Sequence, residues 1–353
     1  VANLDVSVRR YPDKSAIAYY GATLSYTELQ RQVDALAACL QQRLGIGKGD
    51  RVLLFMQNCP QFVVASYATW RCGAVIVPAN PMNVTAELRS KIEDAAPKAA
   101  IVAQDLFAQI LPLLSGQKAP AVIVTAYSEY LPQEAAARSY DVPDFVREPM
   151  RSTAPALTWQ AALRGGEALA PVAVSPEDLA VVLYTSGTTG EGKGCMHTHH
   201  SVMCTAVGAA LWSGLHTDSV VLCSVPLFHV TGLQHCMNNV VYAGATTVIM
   251  SRWDKQLALR LIADYRVSHW TNIPTMVVDV LSAPEALQMD WSSMSFIGGG
   301  GASMPEAIAQ RLLELTGLAY AEGFGSTESI SQTHWNPTTG ARKQCLGIPV
   351  FDT

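Results

Sequence analysis

Short apolar runs alternate with amphipathic segments along most of the chain. In residues 27–44, for example, Leu29, Val33 and Leu36 recur at helical spacing and share one face, with Thr27 as the predicted N-cap. The predicted strands cover residues 51–57, 73–78, 99–102, 267–272 and 296–298, and the predicted helices cover residues 60–71, 85–95, 253–265, 275–281 and 305–315. Strands that alternate with helices favour a parallel sheet covered on both faces.

The pattern of the first half returns in the second half. Asp50 opens an apolar strand that is followed by a helix and by a strand beginning at Gly73-Ala. Asp218 opens a similar strand, followed by a helix and by a strand beginning at Gly244-Ala. A duplicated strand–helix–strand unit explains this similarity. The predicted fold class is therefore α/β, with two pseudo-repeated, mostly parallel sheets flanked by helices.

Residues 126–175 interrupt the alternation, because they are rich in Ala, Pro, Glu and Arg and have weak periodicity. We interpret them as a surface excursion that joins two halves. The predicted subdomains are therefore residues 1–175 and residues 176–353. The alternative is an insert that touches a membrane or binds a partner.

Composition narrows the class of protein. The chain is 49% hydrophobic and 15% charged, which is typical of a globular protein, and its net charge of −5 without a basic run argues against nucleic acid as a partner. Its eight cysteines contain no Cys-x-x-Cys pair, which favours free thiols in a reducing compartment over disulfides or zinc. No apolar run reaches the length of a membrane helix and no signal peptide is visible, so the predicted location is the cytoplasm.

The stretch at residues 184–194 reads Tyr-Thr-Ser-Gly-Thr-Thr-Gly-Glu-Gly-Lys-Gly and follows an apolar strand. Its glycines allow close approach of the backbone, and its hydroxyls and the ammonium of Lys193 are suited to binding phosphate. The Walker A pattern fits as far as Lys193, but Gly194 stands where that pattern places a magnesium-binding hydroxyl. A phosphate-binding loop is therefore predicted, and a flexible surface loop is the structural alternative.

Three further stretches lie at predicted strand ends, where open α/β sheets bind ligands. His229 follows one strand and is as consistent with a structural role as with a pocket role. The glycines at residues 298–301 allow a flat ligand to lie on bare backbone, although Ser303 breaks the dinucleotide fingerprint. Glu328 lies in a glycine-rich turn and, judged alone, is more consistent with a helix-capping carboxylate than with a ligand.

The run His197-Thr-His-His invites a metal interpretation. Neighbouring histidines on one loop do not complete a tetrahedral site, and no Cys or acidic cluster follows nearby. Capping and packing of the following helix, predicted at residues 201–215, is the better explanation.

Residues 184–194 closely resemble the phosphate-loop signature of the adenylate-forming (AMP-binding) superfamily, with Gly192 where proline is usual. That superfamily includes acyl-CoA synthetases, peptide-synthetase adenylation domains and beetle luciferases. Residues 226–233, 300–302 and 322–329 resemble three further family motifs in the family's order, and the chain looks most like fatty-acid–CoA ligases. The Gly192 substitution is expected to loosen the turn without removing a ligand.

The resemblance implies roles by position. The implied nucleotide-binding residues are Thr185, Ser186, Gly187, Thr188, Thr189, Gly190, Lys193, Gly300, Gly301, Ala302, Glu322, Gly323, Phe324, Gly325, Ser326 and Thr327. The implied acid pocket contains His229, Val230, Thr231, Gly232, Leu233, Gly299, Gly300, Ser329 and Ile330. The implied catalytic residues are Lys193, His229, Thr327 and Glu328, and Glu328 is also the implied magnesium ligand.

The implied activity is ATP-dependent activation of a carboxylic acid to acyl-AMP and then to acyl-CoA. The implied partners are a small carboxylic acid, ATP with Mg²⁺, and coenzyme A, and self-association into a homodimer is left open. The small residues of the pocket favour a medium- or long-chain fatty acid, with an aromatic, benzoate-type acid as the alternative. From a different class, a non-catalytic nucleotide-binding module remains an alternative.

The family's pattern continues beyond residue 353. A ribose-binding aspartate, a hinge and a small C-terminal lid domain with a catalytic lysine are expected from the resemblance, so residues 1–353 correspond to the large N-terminal domain. This chain alone is therefore expected to bind ligands weakly and to turn over poorly.

Overall fold

The computed structural model describes residues 1–115, 119–132, 140–151, 156–185, 192–338, 340–342 and 344–351. The described strands are β1 (Ser15–Tyr19), β2 (Ala22–Ser25), β3 (Arg51–Phe55), β4 (Val75–Ala79), β5 (Ala99–Ala103), β6 (Ala121–Thr125), β7 (Leu157–Thr158), β8 (Leu179–Tyr184), β9 (Gly194–Thr198), β10 (Val220–Cys223), β11 (Thr246–Ile249), β12 (His269–Asn272), β13 (Phe296–Gly299), β14 (Ala321–Ser326), β15 (Ser331–Trp335) and β16 (Ile348–Pro349). They form two sheets, as the repeated pattern predicts.

The described α-helices are α1 (Ala2–Arg10), α2 (Tyr26–Gln42), α3 (Pro60–Arg71), α4 (Thr85–Ala95), α5 (Phe107–Ile110), α6 (Asp144–Arg147), α7 (Trp159–Leu163), α8 (His199–Ser213), α9 (Val230–Gly232), α10 (Asn239–Ala243), α11 (Lys255–Asp264), α12 (Pro274–Leu281) and α13 (Glu306–Thr316). Short 3₁₀ turns cover Gln104–Leu106, Leu111–Leu113, Tyr127–Tyr130 and Pro284–Leu287, and Leu233–Asn238 forms a π-helical segment. None of the described helices has both the length and the hydropathy of a bilayer-spanning segment.

Both sheets are mostly parallel. The first has the order β7-β6-β5-β3-β4-β8-β9, and only the β8–β9 pair is antiparallel among its described pairs. The second has the order β16-β15-β14-β13-β12-β10-β11-β1-β2, with antiparallel pairs at its two ends. The central strands are buried along almost their whole length, as parallel strands covered on both faces should be. The predicted α/β fold class is confirmed.

The two crossover units are equivalent and meet between the sheets. Strand β3 pairs in parallel with β4 across helix α3, and β10 pairs in parallel with β11 across residues 230–243. Gly73 and Gly244, which follow the two crossovers, both have a φ of +68°. Tyr67 of α3 donates a hydrogen bond to Asn238 of the second crossover at 3.3 Å. The duplicated unit predicted from the sequence therefore exists, and its two copies pack against each other.

The sheets do not divide at residue 175. Strands β1 and β2 join the second sheet through the parallel pairing of β1 with β11, and β8 and β9 join the first sheet through β4. Each half of the chain thus contributes two strands to the sheet of the other half. Residues 1–175 and 176–353 are therefore two halves of the sequence, but each of the two sheets contains strands from both halves.

The interpretation of residues 126–175 as a surface excursion is wrong for its buried part. Tyr127, Val146 and Trp159 are at most 1% exposed, and β7 adds a parallel strand to β6. These side chains belong to the main hydrophobic core. Weak periodicity concealed this role because single large residues, rather than a regular stripe, make the contacts.

The N-cap of helix α2 lies two residues earlier than the sequence predicts. The Ser25 hydroxyl accepts a hydrogen bond from the Glu28 backbone N–H at 3.2 Å, so Ser25 is the N-cap. The Thr27 hydroxyl instead donates to the Pro12 carbonyl at 2.9 Å. Both residues are good capping types, and only the path of the preceding strand decides between them.

We expect the Ser25→Ala substitution to lower the free energy of unfolding by about 1 kcal/mol, because it leaves a helix N–H without a partner. Thr27→Ala is the matched control, since it removes a hydroxyl that satisfies no helix donor, and should cost less. Urea unfolding of both variants measures the difference. A larger loss for Thr27→Ala would contradict the assignment of the cap.

Candidate active site

A cavity of about 680 Å³ lies at the carboxyl ends of β12 and β13, beside the β14–β15 hairpin. This is the position at which open α/β sheets bind ligands. Its described lining consists of Thr185, Lys193, His229, Val230, Thr231, His235, Thr271, Gly299, Gly300, Gly301, Gly323, Phe324, Gly325, Ser326, Thr327, Glu328, Ser331, Gln332 and Trp335. All four motifs from the sequence therefore contribute to one cavity.

Some residues assigned to the site do not line this cavity. They are Gly232, Leu233, Ala302, Glu322, Ser329 and Ile330. Residues Ser186, Gly187, Thr188, Thr189 and Gly190 lie outside the described residues, and their phosphate-binding role stays a prediction. The roles of the lining residues are likewise predictions that the geometry now places in one site.

Glu322 faces a different cavity, which it shares with Tyr320 and Met304. Burial raises the pKa of its carboxyl, while the Met304 backbone and the Ser303 hydroxyl oppose the rise. Gly232 is required for packing, because a Cβ there would lie 2.1 Å from the Pro226 carbonyl oxygen. Neither residue is placed to contact a ligand in the main cavity.

The ends of the phosphate-loop segment are held together by its own backbone. The Thr185 N–H donates to the Lys193 carbonyl at 3.1 Å, and the Lys193 N–H donates to the Thr185 hydroxyl at 3.2 Å. A Cβ on Gly192 would lie 2.6 Å from the Thr185 carbonyl oxygen. Gly192 is therefore needed for this close approach, which goes beyond the looser turn expected from the sequence.

The glycine run forms a floor of bare backbone because neighbouring strands approach it closely. A Cβ on Gly299 would lie 1.8 Å from the Asn272 carbonyl oxygen, and one on Gly300 would lie 2.5 Å from the Gly323 carbonyl oxygen. A Cβ on Gly301 would meet only the Ile273 side chain, at 3.7 Å. The exposed Phe324 ring lies on the same cavity, so a flat ring could lie against both the backbone and an aromatic face.

His229 has a defined tautomer. The backbone N–H of Thr231 donates to its Nδ1 at 3.3 Å, so Nδ1 is unprotonated and the neutral ring carries its proton on Nε2. The side chain is solvent-exposed at the cavity wall, yet the surrounding protein desolvates it enough to lower its pKa. A neutral imidazole with an Nε2–H is a suitable donor to a carboxylate.

The hairpin that carries Thr327 and Glu328 is tied to strand β9. The buried His197 donates from Nε2 to the Thr327 carbonyl at 2.8 Å. Within the turn, the Ser326 N–H donates to the Ser329 hydroxyl at 3.0 Å, and Ile330 has a φ of +53°. His197, Ser329 and Ile330 therefore shape the turn, which gives His197 a structural role that needs no metal.

Glu328 is the candidate metal ligand. Its own backbone N–H and the Ser326 hydroxyl hold the pKa of its exposed carboxyl below the usual value, so the group is ionised. No three His, Cys, Asp or Glu side chains of the described chain are grouped to hold a metal by themselves. Mg²⁺ needs no such group, because one or two carboxylates and substrate phosphates usually bind it. Glu328 therefore fits a magnesium–nucleotide complex.

The deep wall of the cavity was not predicted. It consists of His235, Thr271, Ser331, Gln332 and Trp335. His235 lies in the π-helical segment, a conformation frequent at functional sites, and it follows His229 by less than two helical turns. The only signal in the sequence was proximity to predicted strand ends and motifs, since Thr271 is the last residue but one of a predicted strand and Ser331 follows Glu328 closely.

Two buried histidines predict a loss of stability in acid. Burial lowers the pKa of His235 and of His269 to about 4 from an ordinary value of 6.5. Between these values the unfolded state binds more protons, so the free energy of unfolding falls as the pH falls from about 6.5 to about 4. Each ring is expected to contribute up to about 3 kcal/mol to this loss.

The test compares urea unfolding of the wild type and His269→Gln between about pH 7 and pH 4.5. Glutamine keeps a hydrogen-bonding side chain but does not titrate in this range, so the variant should lose less stability on acidification. Because His269 lies outside the cavity lining, the comparison is independent of ligand binding. Identical pH dependence in the two proteins would contradict the prediction.

Comparisons with known proteins concern the whole chain. The long-chain-fatty-acid–CoA ligase of Bacillus subtilis (strain 168) is 30% identical over 350 residues, which cover 97% of this chain and 62% of the relative. The solved anthranilate CoA ligase AuaEII, in complex with anthranoyl-AMP, has a TM-score of 0.85 at 20% identity and covers 99% of this chain and 63% of its own. The benzoate CoA ligase from Burkholderia xenovorans LB400 has a TM-score of 0.83 at 22% identity, with 99% and 65% covered.

This chain thus spans less than two thirds of the length of each of these proteins. The family model described as "AMP-binding enzyme" matches residues 4–353. Since that match covers nearly all of the sequence, the chain belongs to the AMP-binding enzyme family.

Proposed function

We propose that this chain supplies the acid- and ATP-binding site of an acid–CoA ligase. One observation carries the proposal: a single cavity brings together Lys193, the His229 imidazole, the glycine floor and the Thr327–Glu328 turn. A cation, a neutral donor, a flat surface and an ionised carboxylate are the groups that adenylation of a carboxylic acid requires.

In the proposed reaction, a carboxylate oxygen of the acid attacks the α-phosphorus of ATP. The bond between the α-phosphorus and the bridging oxygen breaks, pyrophosphate leaves, and acyl-AMP remains. The thiol of coenzyme A then attacks the acyl carbon, and AMP leaves as the thioester forms. Both steps bring negatively charged groups together. The protein therefore contributes mainly by neutralising the phosphate charge and by positioning the reacting groups.

The described residues divide this work. Lys193 and the Thr327 hydroxyl stabilise the α-phosphate, and the Nε2–H of His229 donates to the carboxylate of the acid. The adenine ring lies between Phe324 and the glycine floor. Mg²⁺, held by Glu328 together with phosphate oxygens, neutralises phosphate charge when it is bound.

Two acid classes are candidates. A medium- or long-chain fatty acid is supported by the name of the 30% identical relative and by the small residues of the pocket. An aromatic acid is supported by the polar deep wall, since His235, Thr271, Ser331 and Gln332 are each less than a tenth exposed. An alkyl chain against this wall would form no hydrogen bonds with it, whereas a ring with a polar edge can.

Binding of ATP alone does not distinguish the ligase from a non-catalytic nucleotide-binding module. The test is pyrophosphate release with ATP, Mg²⁺ and a panel of acids, in a protein that contains residues 1–353, with Lys193→Ala and Glu328→Ala as variants. Acid-dependent release that both variants reduce supports the ligase. Retained ATP binding without release in the wild type would support the module.

A further inference from the structure

The deep end of the cavity is closed by aromatic rings. The Trp335 ring is 2% exposed and meets the His235 ring edge-on, with 4.9 Å between centroids. The Phe296 ring packs against the far side of Trp335 at 5.6 Å. An extended alkyl chain that entered past His229 would meet these rings, so the wall favours a compact acid.

The same wall offers hydrogen bonds. His235 Nε2 lies 3.1 Å from the Ser331 hydroxyl, and each of these groups can either donate or accept. Burial keeps the pKa of His235 at about 4, so the ring is neutral near pH 7. A neutral imidazole beside a hydroxyl can adapt to a ligand group that donates, accepts or does both.

One polar atom of the wall is poorly satisfied. Gln332 Nε2 donates to the Thr205 carbonyl at 3.0 Å, but the buried Gln332 Oε1 makes no hydrogen bond of normal geometry. The Gln332 side chain still interacts with the His235 ring and raises the pKa of that ring, as an amide oxygen that faces a ring N–H does. A ligand that took over the Ser331 hydroxyl would leave the His235 N–H free to shorten this contact with Gln332.

The shape of the cavity adds a second argument. Gly299, Gly300 and Gly323 present bare backbone on one side, and Val230 and Thr231 contribute side chains to the lining. A flat slot that ends in hydrogen-bonding groups matches a planar ring with a polar edge better than it matches a flexible chain.

We propose that the acid pocket ends at His235 and Ser331 and selects a compact aromatic carboxylic acid whose far edge carries a hydroxyl or amino group. The inference rests on the proposed adenylation function and names its substrate class. In this arrangement His235 and Ser331 determine specificity, while Lys193, His229, Thr327 and Glu328 perform the adenylation. The acid ring lies beside Gly299, next to the part of the glycine floor (Gly300 and Gly301) that takes the adenine, and its polar edge replaces the contact between His235 and Ser331.

The test uses a protein that contains residues 1–353 and non-hydrolysable acyl-adenylate mimics that share one nucleotide portion. The acyl groups are benzoyl, the three hydroxybenzoyl isomers, octanoyl and hexadecanoyl, and calorimetry gives each Kd. At least one hydroxybenzoyl mimic should bind about tenfold tighter than the benzoyl mimic, which corresponds to a single satisfied hydrogen bond. The octanoyl and hexadecanoyl mimics should bind more weakly than the benzoyl mimic.

Two variants test the assigned residues. His235→Leu and Ser331→Ala should each reduce the hydroxybenzoyl preference to about threefold or less while the benzoyl Kd changes little. Ser331→Ala removes only one oxygen and so keeps the test valid if His235→Leu does not fold. His216→Ala, which changes a histidine outside the cavity lining, is the matched control and should keep the preference.

The outcomes separate the two proposals. If ATP and every mimic fail to bind, the proposed function fails, and the substrate assignment fails with it. If the mimics bind but an alkyl group is preferred, the ligase proposal survives and the aromatic assignment is overturned. A hydroxybenzoyl preference that persists in the folded variants would overturn the roles of His235 and Ser331.

Discussion

Replacing Lys193 with alanine is expected to lower the rate of acyl-adenylate formation by about 10²- to 10³-fold, the range seen when one charge-stabilising group is removed from a preorganised site. The Lys193 backbone is paired with Thr185 and its side chain lines the cavity. In the proposed reaction, this position puts the ammonium where negative charge moves from the α-phosphate to pyrophosphate. Because this charge develops in the transition state, kcat should fall more than the affinity for ATP.

Acid-dependent exchange between ATP and pyrophosphate measures this step in a protein that contains residues 1–353. Lys91→Ala is the matched control, because the Lys91 ammonium lies 5.4 Å from the ring centroid of Tyr184, at the start of the loop segment, yet does not line the cavity. The control should retain most of the exchange rate. If Lys193→Ala changes the rate no more than Lys91→Ala does, the proposed role of Lys193 is wrong.

The second large effect is structural. Gly299→Ala is expected to lower the free energy of unfolding by about 3 kcal/mol, at the upper end of the cost of overpacking. The new Cβ would lie 1.8 Å from the carbonyl oxygen of Asn272, the residue that pairs with Gly299 in the β12–β13 register. The backbone carbonyl cannot turn away without breaking the ladder, so the two strands must separate at the floor of the cavity.

Gly301→Ala is the control within the same glycine run. Its Cβ would lie 3.7 Å from Ile273, so only the φ of +86° opposes the substitution, at a cost of about 1 kcal/mol. Thermal or urea unfolding of the two variants measures the difference. Equal losses would show that positive φ, rather than the close approach of β12, determines the need for glycine here.

Signals within a few neighbouring residues were sufficient to predict several helices and strands. Helices α3 and α4 have the predicted bounds, because Pro60 starts one at a position where proline is favoured and Thr85 follows an extended residue. The repeated Asp-led and Gly-Ala strands also predicted the parallel pairs β3–β4 and β10–β11. In these cases the information lies within a few residues of the element that it defines.

Other features depend on contacts between distant residues. The N-cap of α2 could not be chosen between Ser25 and Thr27, because both side chains are of the capping type and only the preceding strand orients them. The exchange of β1–β2 and β8–β9 between the sheets depends on pairings such as Ile17 with Thr247, far apart in sequence. Local hydrophobic pattern carries no information on such partners.

In the candidate site, too, some residues were predicted from local sequence and others were found only from the fold. The loop at residues 184–194, His229, the glycine floor and the Thr327–Glu328 turn were identified because each is a dense local cluster of unusual residues. His235, Thr271 and Gln332 were missed, because single polar residues in apolar segments resemble satisfied core residues until the fold places them on a common wall. The apparent metal run at His197 was explained only when the fold brought Thr327 to it.

By itself, the sequence of this protein determined the α/β class, the repeated units and the family, and it indicated which groups to test for phosphate and carboxylate binding. These depend on short-range periodicity and on compact motifs. The tertiary structure alone decided which strands share a sheet, which glycines must remain bare and which side chains line the candidate site. The physical reason is that these properties arise from atoms brought into contact by long-range packing, and the depth of a pocket is set by whichever side chains meet there.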